Sequence, residues 1–377
     1  MAPLKPFRPL RYDTRRAGPL DDLVAPPHDV ITPELREALL AASPYNAVRL
    51  IRPESPEAAA RLLREWREQA ILVREPRQGV WLLAEDFTGP DGRPRARRSL
   101  VARVRLEPYE MGVVLPHERT LPAQKEARLK LLRAVRTKLS PVLLLHEGPS
   151  PSFPAERPAD VEATFAGVRS RLWRLDATGA VDEALASVRG RIIIADGHHR
   201  YETALRLHEE ERSEETAYLF AALVSRRDPG LVIFPTHRIA RGPVPELDGR
   251  FRLTSLSGGA AQALERLRQV PRDRPAFVML CREEAVLAEA ERAGGPAAVL
   301  DTAVLDDLPL TGVTFTASAS EAEEAVRSGS ASAAFLVRPP TVDQVEAVAL
   351  AGRTMPEKST YFYPKLTSGL LFSPLDE

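Results

Sequence analysis

Apolar and polar side chains follow two spacings along the chain, one typical of strands and the other of helices. Residues 80–85 and 97–105 alternate between apolar and polar types around a Gly-Pro-Asp-Gly segment, which predicts a β-hairpin. Residues 123–139 carry leucine and valine on one helical face, which predicts a helix. Shorter helices are predicted over residues 33–42 and from Ser55, where a serine N-cap precedes a proline.

The second half of the chain repeats strand and helix signals. The β-branched run Arg191-Ile-Ile-Ile-Ala195 predicts a buried strand that ends at Ala195, and a helix begins within a few residues. Further along, alanine-rich helices alternate with apolar strands, which is the pattern of a small α/β unit. The other strands predicted in this half cover residues 217–224, 231–234, 276–280, 297–304 and 333–337. The whole pattern predicts a mixed fold of the α/β (α+β) class.

Composition narrows the class of protein without naming a function. The 377 residues suffice for two or three domains with a sizeable buried core. Basic and acidic residues both number 52, so the zero net charge creates no chain-wide field for nucleic acid or an anionic membrane. Because the chain has one cysteine, no signal peptide and no apolar run of roughly 18 residues, we expect a cytoplasmic protein.

The segment Asp196-Gly197-His198-His199-Arg200 lies where the predicted strand gives way to a helix. Glycine lets the backbone approach a ligand closely, and the free N–H groups of a helix start favour an anion. Gly197, His198, His199 and Arg200 are therefore candidate phosphate ligands. Asp196 is placed to hold Mg²⁺ or to accept a proton from a substrate hydroxyl. The alternative is that Asp196 only caps the helix and the histidines are ordinary polar surface.

The spacing of the residues argues against two other kinds of site. Adjacent histidines on a helix point roughly 100° apart, whereas a helical zinc pair needs a separation of three or four residues. The sequence contains neither His-Glu-x-x-His nor Cys-x-x-Cys. It also lacks the glycine motifs of P-loop kinases and of dinucleotide-binding Rossmann enzymes. Any phosphate recognition is expected to lie outside those classes.

Several further clusters combine histidine, acid, amide and cationic side chains. Asp29, next to His28 in a proline-rich loop, is a candidate general base. The candidate substrate-binding residues are Asn46, Arg49, His117, Glu118, His237, Arg238, Lys358 and Lys365. Structural alternatives exist for these clusters, among them helix capping at Asp29, loop structure around Asn46 and a packed aromatic tail around Lys358.

These segments resemble, in their order along nearly the whole chain, the DUF1015 family. The matching segments are Ala25-Pro-Pro-His-Asp-Val-Ile31, Pro44-Tyr-Asn-Ala-Val-Arg-Leu-Ile51, His117-Glu-Arg-Thr120, Ser140-Pro-Val142, Asp196-Gly-His-His-Arg-Tyr-Glu-Thr-Ala204, Pro235-Thr-His-Arg238 and Lys358-Ser-Thr-Tyr-Phe-Tyr-Pro-Lys365. The family name itself implies no reaction. The Asp-Gly-His-His-Arg box, however, is similar to that of the free serine kinases of the ParB/sulfiredoxin-like fold, where a similar turn holds nucleotide phosphates.

The resemblance implies a ParB/sulfiredoxin-like catalytic core formed by residues 1–55 and 187–240. Residues 56–186 are then an inserted α+β region, and residues 241–377 are a C-terminal α/β unit whose tail returns to the active site. The serine kinases carry their catalytic base in a Pro-His-acid-acid turn. Its counterpart here is Pro27-His28-Asp29, with a single aspartate in place of two acids.

The activity implied by the resemblance is Mg²⁺-dependent phosphoryl transfer to a small hydroxy amino acid, with free L-serine giving O-phospho-L-serine. Asp29 is then the base, and Asp196 holds Mg²⁺ or the serine hydroxyl. The expected partners are serine or phosphoserine and a phosphoryl donor, which stays open between ATP, ADP and pyrophosphate. Two alternatives are a phosphoserine phosphatase and a non-enzymatic nucleotide-binding ParB-like module. The oligomeric state is not predicted.

Overall fold

The computed structural model describes residues 2–376 except 90, 121, 155, 248, 283, 291–294 and 296. The strands are β1 (Leu4–Lys5), β2 (Leu10–Tyr12), β3 (Leu72–Arg74), β4 (Val80–Thr88), β5 (Pro94–Arg105), β6 (Val114–Leu115), β7 (Thr137–Lys138), β8 (Val142–His146), β9 (Val161–Phe165), β10 (Val168–Leu175), β11 (Ile192–Asp196), β12 (Tyr218–Ser225), β13 (Val232–Phe234), β14 (His237–Ala240), β15 (Phe251–Leu256), β16 (Ala276–Leu280), β17 (Ala285–Ala290), β18 (Thr314–Thr316), β19 (Ala333–Leu336), β20 (Tyr361–Tyr363) and β21 (Ser373–Pro374).

The helices confirm the predicted mixed α/β (α+β) class. They are α1 (Thr14–Ala17), α2 (Pro33–Ala42), α3 (Val48–Ile51), α4 (Pro56–Glu68), α5 (Pro122–Val135), α6 (Thr178–Ser187), α7 (His198–Glu211), α8 (Ala260–Arg268), α9 (Asp301–Asp306), α10 (Ala319–Arg327) and α11 (Val342–Leu350). The predicted N-cap of α4 is confirmed, because the Ser55 side chain accepts a hydrogen bond from the Ala58 N–H. Within the described residues, no helix combines the length and apolar character needed to cross a membrane.

The chain forms two compact units whose boundaries differ from the predicted domains. The first unit comprises Met1–Pro116, Thr120–Leu231 and Pro364–Glu377, and the second comprises His117–Arg119 and Val232–Tyr363. Residues 56–186, predicted as an insertion, supply β4, β5, β8, β9 and β10 to the same sheet as β11 and β12. The pairing of β5 and β8 with β11 and β12 joins strands that are far apart in the chain. The order of elements along the sequence therefore did not indicate it.

The main sheet of the first unit has nine strands within the described residues. Its order is β6-β11-β8-β12-β5-β4-β10-β9, with β1 also paired to β5. β6 runs parallel to β11 and β8 parallel to β12, whereas the other pairs are antiparallel. The predicted hairpin is confirmed as β4 and β5, with Trp81 opposite Val101 and Glu85 opposite Arg97. Pro90, in the turn between them, lies outside the described residues.

Helices α6 and α7 pack on one face of this sheet. Successive side chains of a strand point to opposite faces, so alternate residues such as Leu82 and Leu100 share this face. They form a buried core with Val181 of α6 and with Tyr201 and Ala204 of α7. This packing fixes the end of β11 and the start of α7 relative to the sheet.

The other face of the sheet holds both terminal segments of the first unit. The Phe7 ring lies 5.6 Å from the Phe220 ring. The buried Arg103 guanidinium donates to the Ser373 hydroxyl at 3.1 Å and to the Pro374 carbonyl. Strand β21 also pairs with β7. The C-terminal segment is thus held by specific bonds, and with it Lys365.

Helix α5 is shorter than the predicted helix over residues 123–139. Arg136 adopts a left-handed backbone with φ of 49°, and the next two residues form β7. The local pattern continues the helix, but the pairing of β7 with β21 ends it. α5 lies beside α7, where Lys125 pairs with Glu202 at 2.9 Å.

The second unit contains an antiparallel sheet of order β15-β17-β16-β19-β14-β18. Apolar residues of α8 and α10 form one buried cluster with this sheet, and Leu305 of α9 belongs to a second cluster. The prediction of a strand over residues 297–304 was wrong, because α9 begins at Asp301. The Asp301 carboxylate is buried and accepts hydrogen bonds from Arg338 and the Ala276 N–H, which fixes the chain there. Short apolar runs fit a helix or a strand equally well.

Candidate active site

Strand β11 turns into helix α7 at Gly197. Gly197 has a φ of 99°, a left-handed conformation that glycine adopts without a steric penalty. A Cβ at this position would lie 2.9 Å from the Arg200 guanidinium, so the absence of a side chain also lets Arg200 fold back over the turn. The first N–H groups of α7 have no acceptor within the helix. They form the positive end of its dipole, next to Asp196.

Asp196 is held between two cations. Its Oδ2 accepts a hydrogen bond from Arg200 Nη2 at 2.6 Å, and its Oδ1 accepts one from the Lys365 ammonium. Arg200 also donates to the Pro141 carbonyl. Burial by itself would raise the pKa of the Asp196 carboxyl, but Lys365 and Arg200 outweigh burial and hold its pKa well below its ordinary value. Asp196 is therefore a carboxylate at neutral pH and a poor proton acceptor.

Arg128 of α5 brings a third cation to this turn. Burial and the neighbouring Arg200 guanidinium lower the pKa of Arg128, and the Asp29 and Asp196 carboxylates oppose that shift. Within the described part of the chain, its guanidinium has neither an ion pair nor a hydrogen bond, unlike Lys125 on the same helix. Arg128 thus has donors available for an anion.

His28, Asp29 and His199 lie around Arg128. Burial lowers the pKa of His28 to about 4, and the Arg128 and Arg52 guanidinium groups add to the shift. Burial and Arg128 also lower the pKa of His199, against the effect of nearby carboxylates that include Asp29. Both imidazoles are therefore neutral at pH 7 and can each donate one N–H. Asp29, from the short 3₁₀ helix His28–Val30, thus lies close enough to Arg128 and His199 to interact with them electrostatically.

Asn46 and Arg49 support the N-terminal loops of the first unit. The buried Asn46 amide donates to the Asp22 and Val24 carbonyls at 2.7 and 3.0 Å. Its side-chain oxygen accepts from a backbone N–H as well. Arg49 donates to the Leu40 carbonyl at 2.9 Å. The structure therefore gives both side chains a role in loop structure, which was the alternative to substrate binding.

His117 and Glu118 belong to the second unit. His117 is fully buried, and its Nε2 lies 3.0 Å from the Thr360 hydroxyl. Its ring also lies 6.0 Å from the Phe362 ring in an edge-on arrangement. Glu118 forms an isolated parallel bridge with Met355. These contacts attach residues 117–119 to the C-terminal part of that unit.

His237, Arg238 and Lys358 also lie in the second unit. The buried His237 accepts a hydrogen bond at Nδ1 from the Val337 N–H at 3.1 Å, and burial lowers its pKa to about 4. The Arg238 guanidinium pairs with Asp306. Lys358 is exposed, and its carbonyl accepts from a threonine hydroxyl. The two buried side chains are thus bonded within that unit.

The Asp196 turn does not fit a metal ion held by protein ligands alone. Within the described residues, no group of three or more His, Cys, Asp and Glu side chains could hold a metal ion. Both oxygens of Asp196 already face cations, so direct coordination would have to displace Lys365 or Arg200. Mg²⁺ commonly binds through one or two carboxylates, waters and substrate phosphates. That Asp196 holds Mg²⁺ stays a prediction, and it would require Lys365 or Arg200 to move.

Sequence reasoning did not identify Arg128 and Arg52 as site residues. Their position depends on how α5 and the N-terminal loops pack, which no local motif shows. One signal was present, because Lys125 and Arg128 are three residues apart on a predicted helix and so lie on the same face.

Comparisons with solved structures find partial likeness of fold. The free serine kinase in complex with AMP matches at a TM-score of 0.40 with 15% identity, over 68% of this chain and 86% of that one. A conserved hypothetical protein from Pyrococcus furiosus matches at a TM-score of 0.39 with 14% identity, over 70% of this chain and 93% of that one. SbnI with a C-terminal truncation from Staphylococcus aureus matches at a TM-score of 0.34 with 12% identity, over 73% of this chain and 82% of that one. Likeness at this level does not extend to activity.

Comparisons at the level of sequence give one assignment. None of the curated proteins matches the chain. The family model described as "Protein of unknown function (DUF1015)" matches residues 4–308, which is most of the sequence. The chain therefore belongs to the DUF1015 family.

Proposed function

We propose that this protein transfers a phosphoryl group from a phosphate donor to the hydroxyl of free L-serine, giving O-phospho-L-serine. The observation that carries the proposal is the Arg128 guanidinium, which has donors available beside the start of α7 and beside the Asp29 carboxylate. Serine as the acceptor follows from the resemblance of the Asp196–Arg200 segment to that of the free serine kinases.

The phosphates are assigned to Arg128 and the start of α7. Arg128, Arg200 and Lys365 face two carboxylates, Asp29 and Asp196, so positive charge is in excess. Gly197 lets the backbone N–H groups of the turn approach an anion, while neutral His199 donates one N–H and His198 lies beside them. Such donors stabilise the charge on a phosphoryl group during its transfer.

The general base is assigned to Asp29. We assign the role to Asp29 and not to Asp196 because Lys365 and Arg200 both bond the Asp196 carboxylate. The serine hydroxyl gives its proton to Asp29, its oxygen forms the new bond to phosphorus, and the bond from phosphorus to the donor oxygen breaks. The leaving oxygen keeps that electron pair. Asp196 acts as a positioning residue for Arg200 and Lys365.

Mg²⁺ is proposed to enter with the donor. The metal would neutralise charge on the donor phosphates, and substrate oxygens and waters would supply most of its ligands. The requirement is tested by turnover in EDTA with and without restored Mg²⁺. Full turnover in EDTA would remove Mg²⁺ from the proposal.

The decisive experiment is a direct search for product. The full chain is incubated with L-serine, Mg²⁺ and each of ATP, ADP and pyrophosphate, and O-phosphoserine is measured by mass spectrometry. We expect product with one class of donor and product formation slowed about 10²-fold or more in the Asp29→Asn variant. Failure to form phosphoserine from every donor would overturn the proposal. Hydrolysis of phosphoserine at a rate independent of any acceptor would identify a phosphatase instead.

A further inference from the structure

A cavity of about 80 Å³ lies beside the candidate active site in the first unit. One water needs roughly 10–15 Å³ of such space, so the cavity has room for a group larger than a single water. Its walls come from α5, α7, β7, β8 and β12. Most of the lining is apolar and includes Leu131, Leu132, Val135, Leu139 and Phe220.

The cavity adjoins the proposed phosphate site. Arg128 and Arg200 both contribute to its lining. On α5 the lining continues from Arg128 to Val135, which at 1.5 Å per residue is about 10 Å. On α7 it continues from Arg200 to Ala204. A ligand with phosphates at Arg128 therefore has space for an apolar body along α5.

Lys138 provides a polar group in this apolar lining. Its side chain is buried, and within the described residues no carboxylate lies at ion-pair distance from its amine. Burial, followed by the Arg103 and Arg136 guanidinium groups, lowers the pKa of Lys138 well below its ordinary value. Lys138 thus places a hydrogen-bonding group beside the apolar walls of the cavity, where it can bond a polar atom of a ligand.

We propose that this cavity binds the base of a nucleoside phosphate, so that the donor is a nucleotide and not inorganic pyrophosphate. The position of the phosphates rests on the proposed function. A nucleobase has apolar faces for the leucine and phenylalanine walls and a polar edge for the Lys138 amine. Pyrophosphate has no part that suits apolar walls, and serine is a small zwitterion. Neither would use the cavity.

The test is direct binding, measured by calorimetry on the full chain without serine. The probes are ADP, AMP, ribose 5-phosphate and pyrophosphate. We expect AMP to bind at least tenfold more tightly than ribose 5-phosphate, which lacks the base. Lys138→Met keeps most of the side-chain length and removes the amine, so it should weaken ADP binding about tenfold and leave pyrophosphate binding within twofold. Lys130→Met, at an exposed lysine of α5, is the matched control and should change neither.

Leu131→Phe provides a second variant if Lys138→Met does not fold. The larger side chain fills the cavity from a partly exposed position. It should weaken the binding of ADP and leave the binding of pyrophosphate unchanged. The assignment would be overturned if AMP and ribose 5-phosphate bound equally tightly. It would also be overturned if both variants lost affinity for ADP and for pyrophosphate to the same extent. Base-dependent binding without phosphoserine formation would refute only the proposed function. Phosphoserine formed from pyrophosphate alone would refute only the nucleotide site.

Discussion

The Lys365 ammonium pairs with the Asp196 carboxylate across 169 positions of the sequence. Lys365 lies in the C-terminal segment that Arg103 anchors to the sheet through Ser373. Asp196 ends β11 and pairs with Arg200 through its other oxygen. Because both oxygens face cations, this carboxylate is fixed as an anion. In the proposed function, proton transfer is therefore assigned to Asp29.

Removal of the Lys365 charge should impair the site without removing its phosphate ligands. In Lys365→Met, Asp196 loses one of its two cations, so its pKa should rise. We expect phosphoserine formation to fall about 10²-fold and the free energy of unfolding to fall by about 1–3 kcal/mol. Steady-state kinetics and urea unfolding measure the two effects. Lys365→Arg should restore most of the stability, and a fully active Lys365→Met enzyme would contradict the assigned role.

Arg128→Ala and Arg200→Ala should differ in stability although both reduce the rate. Either change removes a cation from the phosphate site, with an expected loss of roughly 10² to 10⁴ in kcat/KM. Arg128 has no ion pair or hydrogen bond within the described residues, so its removal should leave the urea midpoint unchanged or raised. Arg200→Ala should lower it, because the Asp196 carboxylate and the Pro141 carbonyl lose a donor. Equal loss of stability in both variants would contradict this distinction.

Asp29→Asn tests the base. Phosphoserine synthesis and its reversal should both fall about 10²-fold or more, because the same group takes and returns the serine proton. Donor affinity should change little, since the phosphates are assigned to Arg128 and the α7 turn. Single-turnover rates in both directions and donor titrations separate the two effects. An unaffected variant would rule out Asp29 as the base.

Acid should destabilise the first unit through His146. Its buried Nδ1 accepts the Gly148 N–H at 3.1 Å, and burial lowers its pKa from 6.5 to about 4. Between these values the unfolded chain binds a proton that the folded protein does not, so stability present at pH 7 is lost as the pH falls from 6.5 to 4. The expected loss at pH 4.5 is about 2–3 kcal/mol from this histidine.

Tryptophan fluorescence in urea measures this effect, because all three tryptophans belong to the first unit. His146→Asn retains an acceptor for the Gly148 N–H and cannot titrate. The difference in stability between pH 7 and pH 4.5 should therefore be smaller in the variant. An identical difference in both proteins would show that His146 does not contribute.

Features that depend on short stretches of chain were predicted by the sequence. The β4–β5 hairpin follows from alternation of side-chain type, and α4 begins after Ser55 because the serine caps it. The turn at Gly197 follows from a buried strand, a glycine and a helix start in succession. Each of these depends on neighbours within a few residues, so the residues alone carry the information.

The partners in the candidate site were decided only by the tertiary structure. Lys365 reaches Asp196 because β21 pairs with β7 and Arg103 holds the C-terminal segment. That same pairing ends α5 before residue 137, where the local pattern still favours a helix. Arg128 enters the site because α5 packs beside α7. These contacts join residues far apart in the chain, and their energy comes from pairing and burial that no single segment possesses before the chain folds.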